Sequence, residues 1–254
     1  MIAIRSAKEI AKMLESGRIV HGALHVAGAM IAPGVTTEEI DRAVDAFIRT
    51  NGGVPSFKGY RGYPASTCIS VNEQVVHGIP SGRKLEEGDI VSVDVGAVKD
   101  GYHGDSARTF SCGAVPPEAV RLMAVTREAL VRGIEAARAG NRIGDISHAV
   151  QSHVESEGFS VVRALVGHGI GRQMHEEPPV PNHGKPGTGP ELKAGMVIAI
   201  EPMVNAGGFD VVTLDDGWTI VTKDGSLSAH FEHTVAVTED GPVILSRAAS
   251  DGAR

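Results

Sequence analysis

The chain is organised around residues 161–178, which read VVRALVGHGIGRQMHEEP. The mostly apolar run 161–166 predicts a short β-strand that leads to His168, held between two glycines. Seven residues later, His175 lies in a segment whose prolines forbid a helix. Because glycine lets a backbone pass close to another group, we expect a ligand beside His168. One stretch cannot form such a site alone, so the rest of the chain has to supply its other residues.

The composition is that of an ordinary globular protein. Of 254 residues, 42% are apolar and 22% are charged, which is enough for a single domain over residues 1–254 with a sizeable core. The net charge of −7, without any basic cluster, argues against nucleic acid as a partner. Cys68 and Cys112 form neither a CxxC motif nor a disulfide framework.

The ends of the chain and its apolar runs bear on where the protein works. The N-terminus lacks the apolar run of a signal peptide, and no apolar stretch reaches membrane-spanning length. We therefore expect a cytoplasmic protein without a membrane partner. Nothing in the sequence demands a dimer, and we expect a monomer.

Two halves of the chain carry the same order of predicted elements, namely two helices followed by strands. Capping boxes at residues 6–9 and 36–39 begin the first helix pair, and a second pair ends at Gly158. Matches at an offset of 106, such as Gly34 with Gly140, indicate an internal duplication. Its two copies would be residues 6–112 and 116–246. Capped amphipathic helices also resemble one another without duplication, and that alternative stays open. Strands are predicted at residues 66–71, 89–98, 102–112, 161–166, 196–201 and 229–238.

Two aspartates fall on one face of a predicted hairpin. Asp100-Gly101 is a strong hairpin signal, and as the two-residue loop it pairs Asp105 with Gly96. Asp94 then lies on the same face as Asp105, as a diagonal neighbour with Cβ atoms about 7–8 Å apart. Both carboxylates can reach one ion, and we expect Gly96 and Gly104 to leave room for it. The alternative is a solvated surface, where paired aspartates are common.

Two glutamates strengthen the interpretation as a metal site. Glu201 ends the apolar run 196–200, and Glu232 lies within the half-buried run 229–235. A charge so close to buried apolar residues needs a partner or a metal ion. Four carboxylates and one imidazole form a hard ligand set that suits Mn²⁺, Fe²⁺ or Co²⁺ and can hold two ions.

Other catalytic motifs are excluded. His175-Glu176-Glu177 is not an HExxH zinc motif, since the second histidine is missing and prolines follow. The glycines around His168 have the wrong spacing for a dinucleotide loop. The chain has no GxSxG elbow, Walker A motif or cysteine in a nucleophile context.

In its metal-binding candidates and their surroundings, the sequence resembles the type 1 methionine aminopeptidases of metallopeptidase family M24, over nearly the whole chain. That resemblance implies an α+β protein with the pita-bread fold of creatinases and aminopeptidases. Two pseudo-twofold-related αβ halves would surround a curved antiparallel sheet. The segments that carry the resemblance are Cys68–Glu73, Val76–Pro80, Asp94–Gly96, His103–Asp105, Gly167–Gly171, His175–Pro178, Ile200–Pro202 and Phe231–His233.

The resemblance also implies roles for the matching residues. The implied cofactor is a pair of divalent ions (Co²⁺, Mn²⁺, Fe²⁺ or Zn²⁺), and the implied reaction is metal-activated attack of water on a peptide carbonyl. Glu201 would also shuttle a proton, His175 would contact the carbonyl oxygen, and His77 would contact the peptide backbone beyond the first residue. The implied metal ligands are Asp94, Asp105, His168, Glu201 and Glu232.

A methionine pocket is implied as well. Aromatic rings and sulfur atoms line a thioether pocket well, and the matching positions are Tyr60, Tyr63, Cys68, Met174 and Trp218. Two apolar residues depart from the common bacterial pattern: Phe57 stands where a cysteine is frequent, and Met174 where a phenylalanine is. Methionine recognition is compatible with both residues, whereas the shape of the pocket is left open.

The expected function is removal of the initiator methionine from peptides and nascent chains with a small second residue, close to the ribosome. One alternative is an Xaa-Pro aminopeptidase or prolidase, which shares the metal set but generally carries an additional N-terminal domain. The other is a pita-bread protein that binds a partner without catalysis. The presence of all five implied metal ligands argues against this second alternative.

Overall fold

The computed structural model describes residues 2–247. Both predicted capping boxes are confirmed, because Ser6 and Glu9 bond each other's backbone N–H groups, as do Thr36 and Glu39. None of the helices in this range is long and apolar enough to cross a membrane. The four α-helices are α1 (Ala7–Met30), α2 (Thr37–Thr50), α3 (Pro117–Ala136) and α4 (Ile143–Ser156), and a single 3₁₀ turn covers Tyr60–Gly62.

Fifteen strands lie within residues 2–247. They are β1 (Val54–Pro55), β2 (Thr67–Val71), β3 (Gln74–Val76), β4 (Ile90–Lys99), β5 (Tyr102–Ser111), β6 (Ser160–Val161), β7 (Val166–Gly169), β8 (Glu176–Pro181), β9 (Val197–Ile200), β10 (Met203–Asn205), β11 (Val211–Thr213), β12 (Ile220–Thr222), β13 (Ser228–His230), β14 (His233–Thr238) and β15 (Gly241–Ile244). Within the described residues these strands form four antiparallel sheets. In the first sheet β4 pairs with β1, β2 and β5. The other sheets have the orders β13-β10-β6, β11-β12-β3 and β15-β14-β9-β7-β8.

Each helix pair has its own hydrophobic core. One core packs α1 and α2 against β2 and β4, and the other packs α3 and α4 against β9, β10 and β14. A third apolar cluster, which includes Tyr63, Cys68 and Met174, draws residues from both parts of the chain. The site is therefore built where two separately packed units meet. The internal duplication itself stays a prediction.

The hairpin of β4 and β5 has the predicted register. Asp100 (φ 51°) and Gly101 (φ 77°) form the two-residue loop, as a turn with two positive φ angles requires. Lys99 pairs with Tyr102, and Gly96 pairs with Asp105.

Gly96 and Gly104 of this hairpin have a different role from the predicted one. A Cβ at Gly104 would lie 2.8 Å from the backbone nitrogen of Gly17, so Gly104 makes room for α1. A Cβ at Gly96 would lie 2.7 Å from the ring of Phe57. The expectation that both glycines leave space for an ion is wrong, since helix backbone and an aromatic ring occupy that space.

The prediction of one continuous strand over residues 161–166 is wrong. Its first residue ends β6, which pairs with β10, and its last residue begins β7, which pairs with β8 and β9. Between them the Val162 N–H donates to the Met203 carbonyl, and Arg163 turns outward to an ion pair with Glu155. The chain passes from one sheet to another over these residues.

The predicted strand at 229–238 is likewise divided, into β13 and β14. At the break, the Glu232 N–H donates to the carbonyl of Ala107 in β5 over 2.9 Å. Next to it, Thr234 Oγ1 accepts from the Asp105 N–H and donates to the Asp105 carbonyl. These bonds join residues 6–112 to residues 116–246, which we call the first and second halves, along a polar seam.

The two ends of the described chain cross over to the opposite half. The Arg5 N–H donates to the Gly195 carbonyl over 2.7 Å, and the Arg5 guanidinium forms an ion pair with Glu176. At the other end, the Leu245 carbonyl lies directly against Gly17 of α1. Each half is therefore partly covered by chain from the other.

Gly17→Ala tests this contact. Alanine favours a helix by about 1 kcal/mol over glycine, but its Cβ would overlap the Leu245 carbonyl oxygen. We expect the overlap to prevail and to lower the free energy of unfolding by about 1–3 kcal/mol, measured by urea denaturation. The control is Gly82→Ala, because a Cβ there meets nothing within 4 Å. Equal stability of the two variants would contradict the contact.

Candidate metal centre

One cavity of about 170 Å³ lies at the seam between the halves. Both halves contribute to its lining, and every residue that the sequence singled out for the site is among the lining residues. These are Tyr60, Tyr63, Cys68, His77, Asp94, Asp105, His168, Met174, His175, Glu201, Trp218 and Glu232, together with Phe57 and Arg61.

The candidate ligands come from separate elements. Asp94 and Asp105 lie on β4 and β5, where the register places them as diagonal neighbours. His168 lies in β7, Glu201 directly follows β9, and Glu232 occupies the break between β13 and β14. Each of these five side chains is thus attached to a sheet or to its end.

His168 faces the carboxylates through Nε2. This nitrogen lies 3.6 Å from Glu201 Oε1 and 3.8 Å from Asp105 Oδ2. Its Nδ1 lies 2.9 Å from the Gly169 carbonyl, an acceptor, so Nδ1 carries the proton and donates. Nε2 then has a free lone pair, which a metal ligand requires. Ligand atoms of Asp105, His168 and Glu232 all lie within 4.8 Å of one another.

The glycines beside His168 serve the backbone of neighbouring strands. A Cβ at Gly167 would overlap the Ala199 carbonyl, and a Cβ at Gly169 would overlap the Glu177 carbonyl. The expectation that these glycines admit a ligand is therefore wrong. They let β7 pack tightly between its neighbours, which fixes the position of His168.

The carboxylates carry more negative charge than the described residues compensate. Burial raises the pKa of Asp94 to about 7. Burial, followed by repulsion from the neighbouring acids, raises the pKa values of Asp105, Glu201 and Glu232 well above their ordinary range. Buried oxygens of Asp94, Asp105 and Glu232 have no hydrogen-bond partner among the described residues.

Divalent cations fit this donor set. Orphaned buried oxygens and mutually repelling carboxylates are what a metal ion would satisfy, and one neutral imidazole completes a hard, oxygen-rich shell. The cluster is a candidate metal site that draws ligands from both halves.

His175 lies over the cluster, on the side open to solvent. Its ring centroid is 4.2 Å from that of His168, and its Nδ1 shares a 2.9 Å hydrogen bond with the hydroxyl of Tyr60. Although His175 keeps an exposed surface, partial desolvation of its ring and the nearby His168 lower its pKa to about 3, so the ring is neutral. Burial also lowers the pKa of His77, whose backbone has φ 61° and whose ring meets Trp218 edge-on.

Apolar groups form the remaining wall. Tyr63 is fixed by its hydroxyl, which shares its one proton between the carbonyls of Thr67 and Gly78, each 3.0 Å away. Its ring centroid lies 5.1 Å from that of Trp218. Cys68 on β2 is the register partner of Asp94 on the adjacent strand β4. Burial raises the pKa of the Cys68 thiol, so it stays a neutral thiol. Met174 and Phe57 belong to the same apolar cluster.

Arg61 is the lining residue that the sequence did not single out. It stands in the turn Gly59-Tyr60-Arg61-Gly62, where both glycines have positive φ. The one available signal was its position next to Tyr60, a predicted pocket residue. A single exposed arginine in a glycine-containing turn gives no further indication of a site.

Known proteins with similar sequences are metal-dependent peptidases, in agreement with the candidate metal site. The sequence profile of metallopeptidase family M24 matches residues 11–239. A methionine aminopeptidase of Clostridium perfringens is 53% identical, over 97% of this chain and 99% of that protein. Methionine aminopeptidase 1 of Bacillus subtilis is 51% identical, over 97% of this chain and 100% of that protein.

Solved structures agree with these relatives. A methionine aminopeptidase of Thermotoga maritima is 49% identical with a TM-score of 0.96, over 98% of this chain and 100% of that one. The prolidase of Pyrococcus furiosus, at 24% identity and a TM-score of 0.78, shares the fold over 96% of this chain and 65% of its own. The predicted α+β pita-bread fold is confirmed.

Asp105→Asn tests the charge balance of the cluster. It removes one of four repelling carboxylates, so we expect the metal-free protein to gain about 1–3 kcal/mol in free energy of unfolding. The same change removes a ligand, so Mn²⁺ should raise the melting temperature of the original protein but not of the variant.

The matched control is Asp100→Asn. Asp100 is exposed in the hairpin loop with φ 51°, a conformation that asparagine tolerates. This variant should resemble the original protein both with chelator and with Mn²⁺. A metal-free Asp105→Asn protein less stable than the original would contradict the repulsion.

Proposed function

The chain belongs to metallopeptidase family M24, and we propose that it is a methionine aminopeptidase that removes the initiator methionine from peptides with a small second residue. The observation that carries this proposal is one small cavity with two kinds of lining. Carboxylates and His168 form one side, and an apolar wall with sulfur and aromatic groups forms the other. Relatives at about half identity over nearly the full length bear that name.

Five residues of this chain would hold two divalent ions, namely Asp94, Asp105, His168, Glu201 and Glu232. When bound, two such ions acidify a water molecule and polarise a scissile carbonyl. Co²⁺, Mn²⁺, Fe²⁺ and Zn²⁺ are all compatible with the ligand types. Four carboxylates against two divalent charges give a nearly neutral site, which does not repel the amino terminus of a peptide.

Glu201 is the proposed proton carrier. Burial raises the pKa of its carboxyl group, and its side chain keeps about 14% exposure towards the cavity. A carboxyl group in these surroundings can accept a proton from the attacking water and pass it to the leaving amine.

His175 and His77 are the proposed contacts to the peptide. When the Tyr60 hydroxyl donates to Nδ1 of His175, the ring keeps its proton on Nε2. That N–H can donate to the scissile carbonyl oxygen as negative charge develops there. His77, held beside Trp218 at the rim, would contact the backbone after the first residue.

Selectivity for methionine follows from the apolar wall. Tyr63, Cys68, Met174 and Trp218 offer ring edges and sulfur atoms to a thioether, and the neutral thiol of Cys68 adds no charge. The fixed hydroxyl of Tyr63 keeps the wall rigid. A rigid pocket of this small volume favours one long unbranched side chain.

The proposal includes a cellular setting. Initiator methionine is first accessible on nascent chains, so we place the enzyme in the cytoplasm, close to the ribosome. We propose that it acts there as a monomer, because this one chain supplies all the residues proposed for metal binding and substrate contact.

Reconstitution with Mn²⁺ tests the activity. We expect release of methionine from Met-Ala-Ser and at least about 100-fold loss in Glu232→Gln, which loses a proposed ligand. An Xaa-Pro tripeptide, the substrate expected if the protein were an Xaa-Pro aminopeptidase, should remain intact. Cleavage of Xaa-Pro in preference to Met-Ala-Ser would overturn the proposed specificity, and full activity of Glu232→Gln would overturn the ligand assignment.

Tyr60→Phe tests the orientation of His175. Loss of one hydrogen bond should lower kcat about 2- to 10-fold with little change in KM, because the bond matters when charge develops on the carbonyl. Tyr102→Phe is the control, since it removes a hydroxyl that bonds Glu9, away from the cavity. A change confined to KM in Tyr60→Phe would argue against this role.

A further inference from the structure

Arg61 stands at the mouth of the catalytic cavity in an unusual backbone conformation. Its φ of 49° and ψ of 25° lie in the left-handed region, which costs free energy for a residue with a Cβ. Glycines with φ of 84° and 91° flank the pair Tyr60 and Arg61. The turn presents both side chains to the cavity, and both belong to its lining.

The charge of Arg61 has no acidic counterpart among the described residues. Several other arginines of this acidic chain form ion pairs, for example Arg5, Arg49 and Arg172. The Arg61 guanidinium instead lies 5.4 Å from the ring centroid of Tyr60, and it forms no ion pair with any residue from 2 to 247. It is the only lysine or arginine among the described residues that line the cavity.

The position of Arg61 relative to a peptide follows from its neighbour. Tyr60 bonds His175, the proposed contact to the scissile carbonyl, and the adjacent Arg61 is exposed, so we place Arg61 where the peptide would leave the cavity. The cavity volume of about 170 Å³ suits one side chain, so later residues have to pass through the mouth. The third residue of a substrate is then the first whose side chain can extend towards Arg61.

We propose that Arg61 is a specificity-determining residue that favours substrates with an aspartate or glutamate at the third position. This inference rests on the proposed aminopeptidase function. The ligand is a carboxylate, because a guanidinium presents paired donors that match its two oxygens. The face of Tyr60 holds the guanidinium in place and reduces the freedom that binding would remove.

The test compares two amidated peptides, Met-Ala-Asp-Ser and Met-Ala-Asn-Ser. They differ by one charge at nearly constant shape, and amidation removes the competing terminal carboxylate. For the Mn²⁺-loaded protein we expect kcat/KM for the aspartate peptide to exceed that for the asparagine peptide about 3- to 10-fold. The difference should reside in KM and should shrink in about 0.5 M NaCl, because the interaction is exposed.

Two variants of Arg61 separate charge from backbone effects. Arg61→Asn removes the charge and tolerates the left-handed conformation, so the ratio of the two peptides should fall to about one. Arg61→Lys keeps the charge without the paired donors and should give an intermediate ratio. Using the ratio within each variant cancels any change in general activity.

Arg83→Gln is the matched control. Arg83 is exposed, lies outside the cavity and forms no ion pair among the described residues, so this variant loses the same charge without changing the ratio. A ratio of one or less in the original protein, or an undiminished ratio in Arg61→Asn, overturns the role of Arg61. Failure to cleave either peptide would instead overturn the proposed function itself.

Discussion

Mutual repulsion among four buried carboxylates is the constraint on which the rest of this structure depends. Asp94 and Asp105 come from the first half, and Glu201 and Glu232 come from the second. Holding them together costs free energy, as their raised pKa values indicate. Two separately packed cores, joined along a hydrogen-bonded seam, supply the opposing stabilisation. Divalent ions would remove the repulsion, which explains why such an arrangement can be both folded and functional.

The cavity changes character with depth. Asp105, His168 and Glu232 are among its buried lining residues, apolar and sulfur-containing groups line another part, and the exposed Arg61 adds a positive charge. Tyr60 connects these regions, because it bonds His175 above the carboxylates and also lies beneath the Arg61 guanidinium. In the proposed function, chemistry, recognition of the first side chain and selection of later residues would use different parts of this one cavity.

The sequence predicted correctly those features that depend on interactions between residues close together in the chain. The Asp100-Gly101 loop determined the register of its hairpin, and the capping boxes marked where α1 and α2 begin. The candidate site residues were found by motif, and the structure brings all of them to one cavity, while their roles remain proposals. Breaks at residues 162–165 and 231–232 escaped prediction because they depend on bonds to distant strands. The glycines near His168 and in the hairpin were misread for the same reason, since their neighbours are remote in sequence.

The crossing of the two chain ends has a consequence for biosynthesis. Helix α1 is made long before residue 245, yet it packs against the Leu245 carbonyl. Arg5 likewise cannot form its ion pair with Glu176 or its hydrogen bond to the Gly195 carbonyl until those residues have been made. Neither half can complete its packing before β15 and Leu245 have been made. The carboxylate cluster is therefore assembled only after translation has delivered both halves, so a chain interrupted before Glu232 carries no finished site.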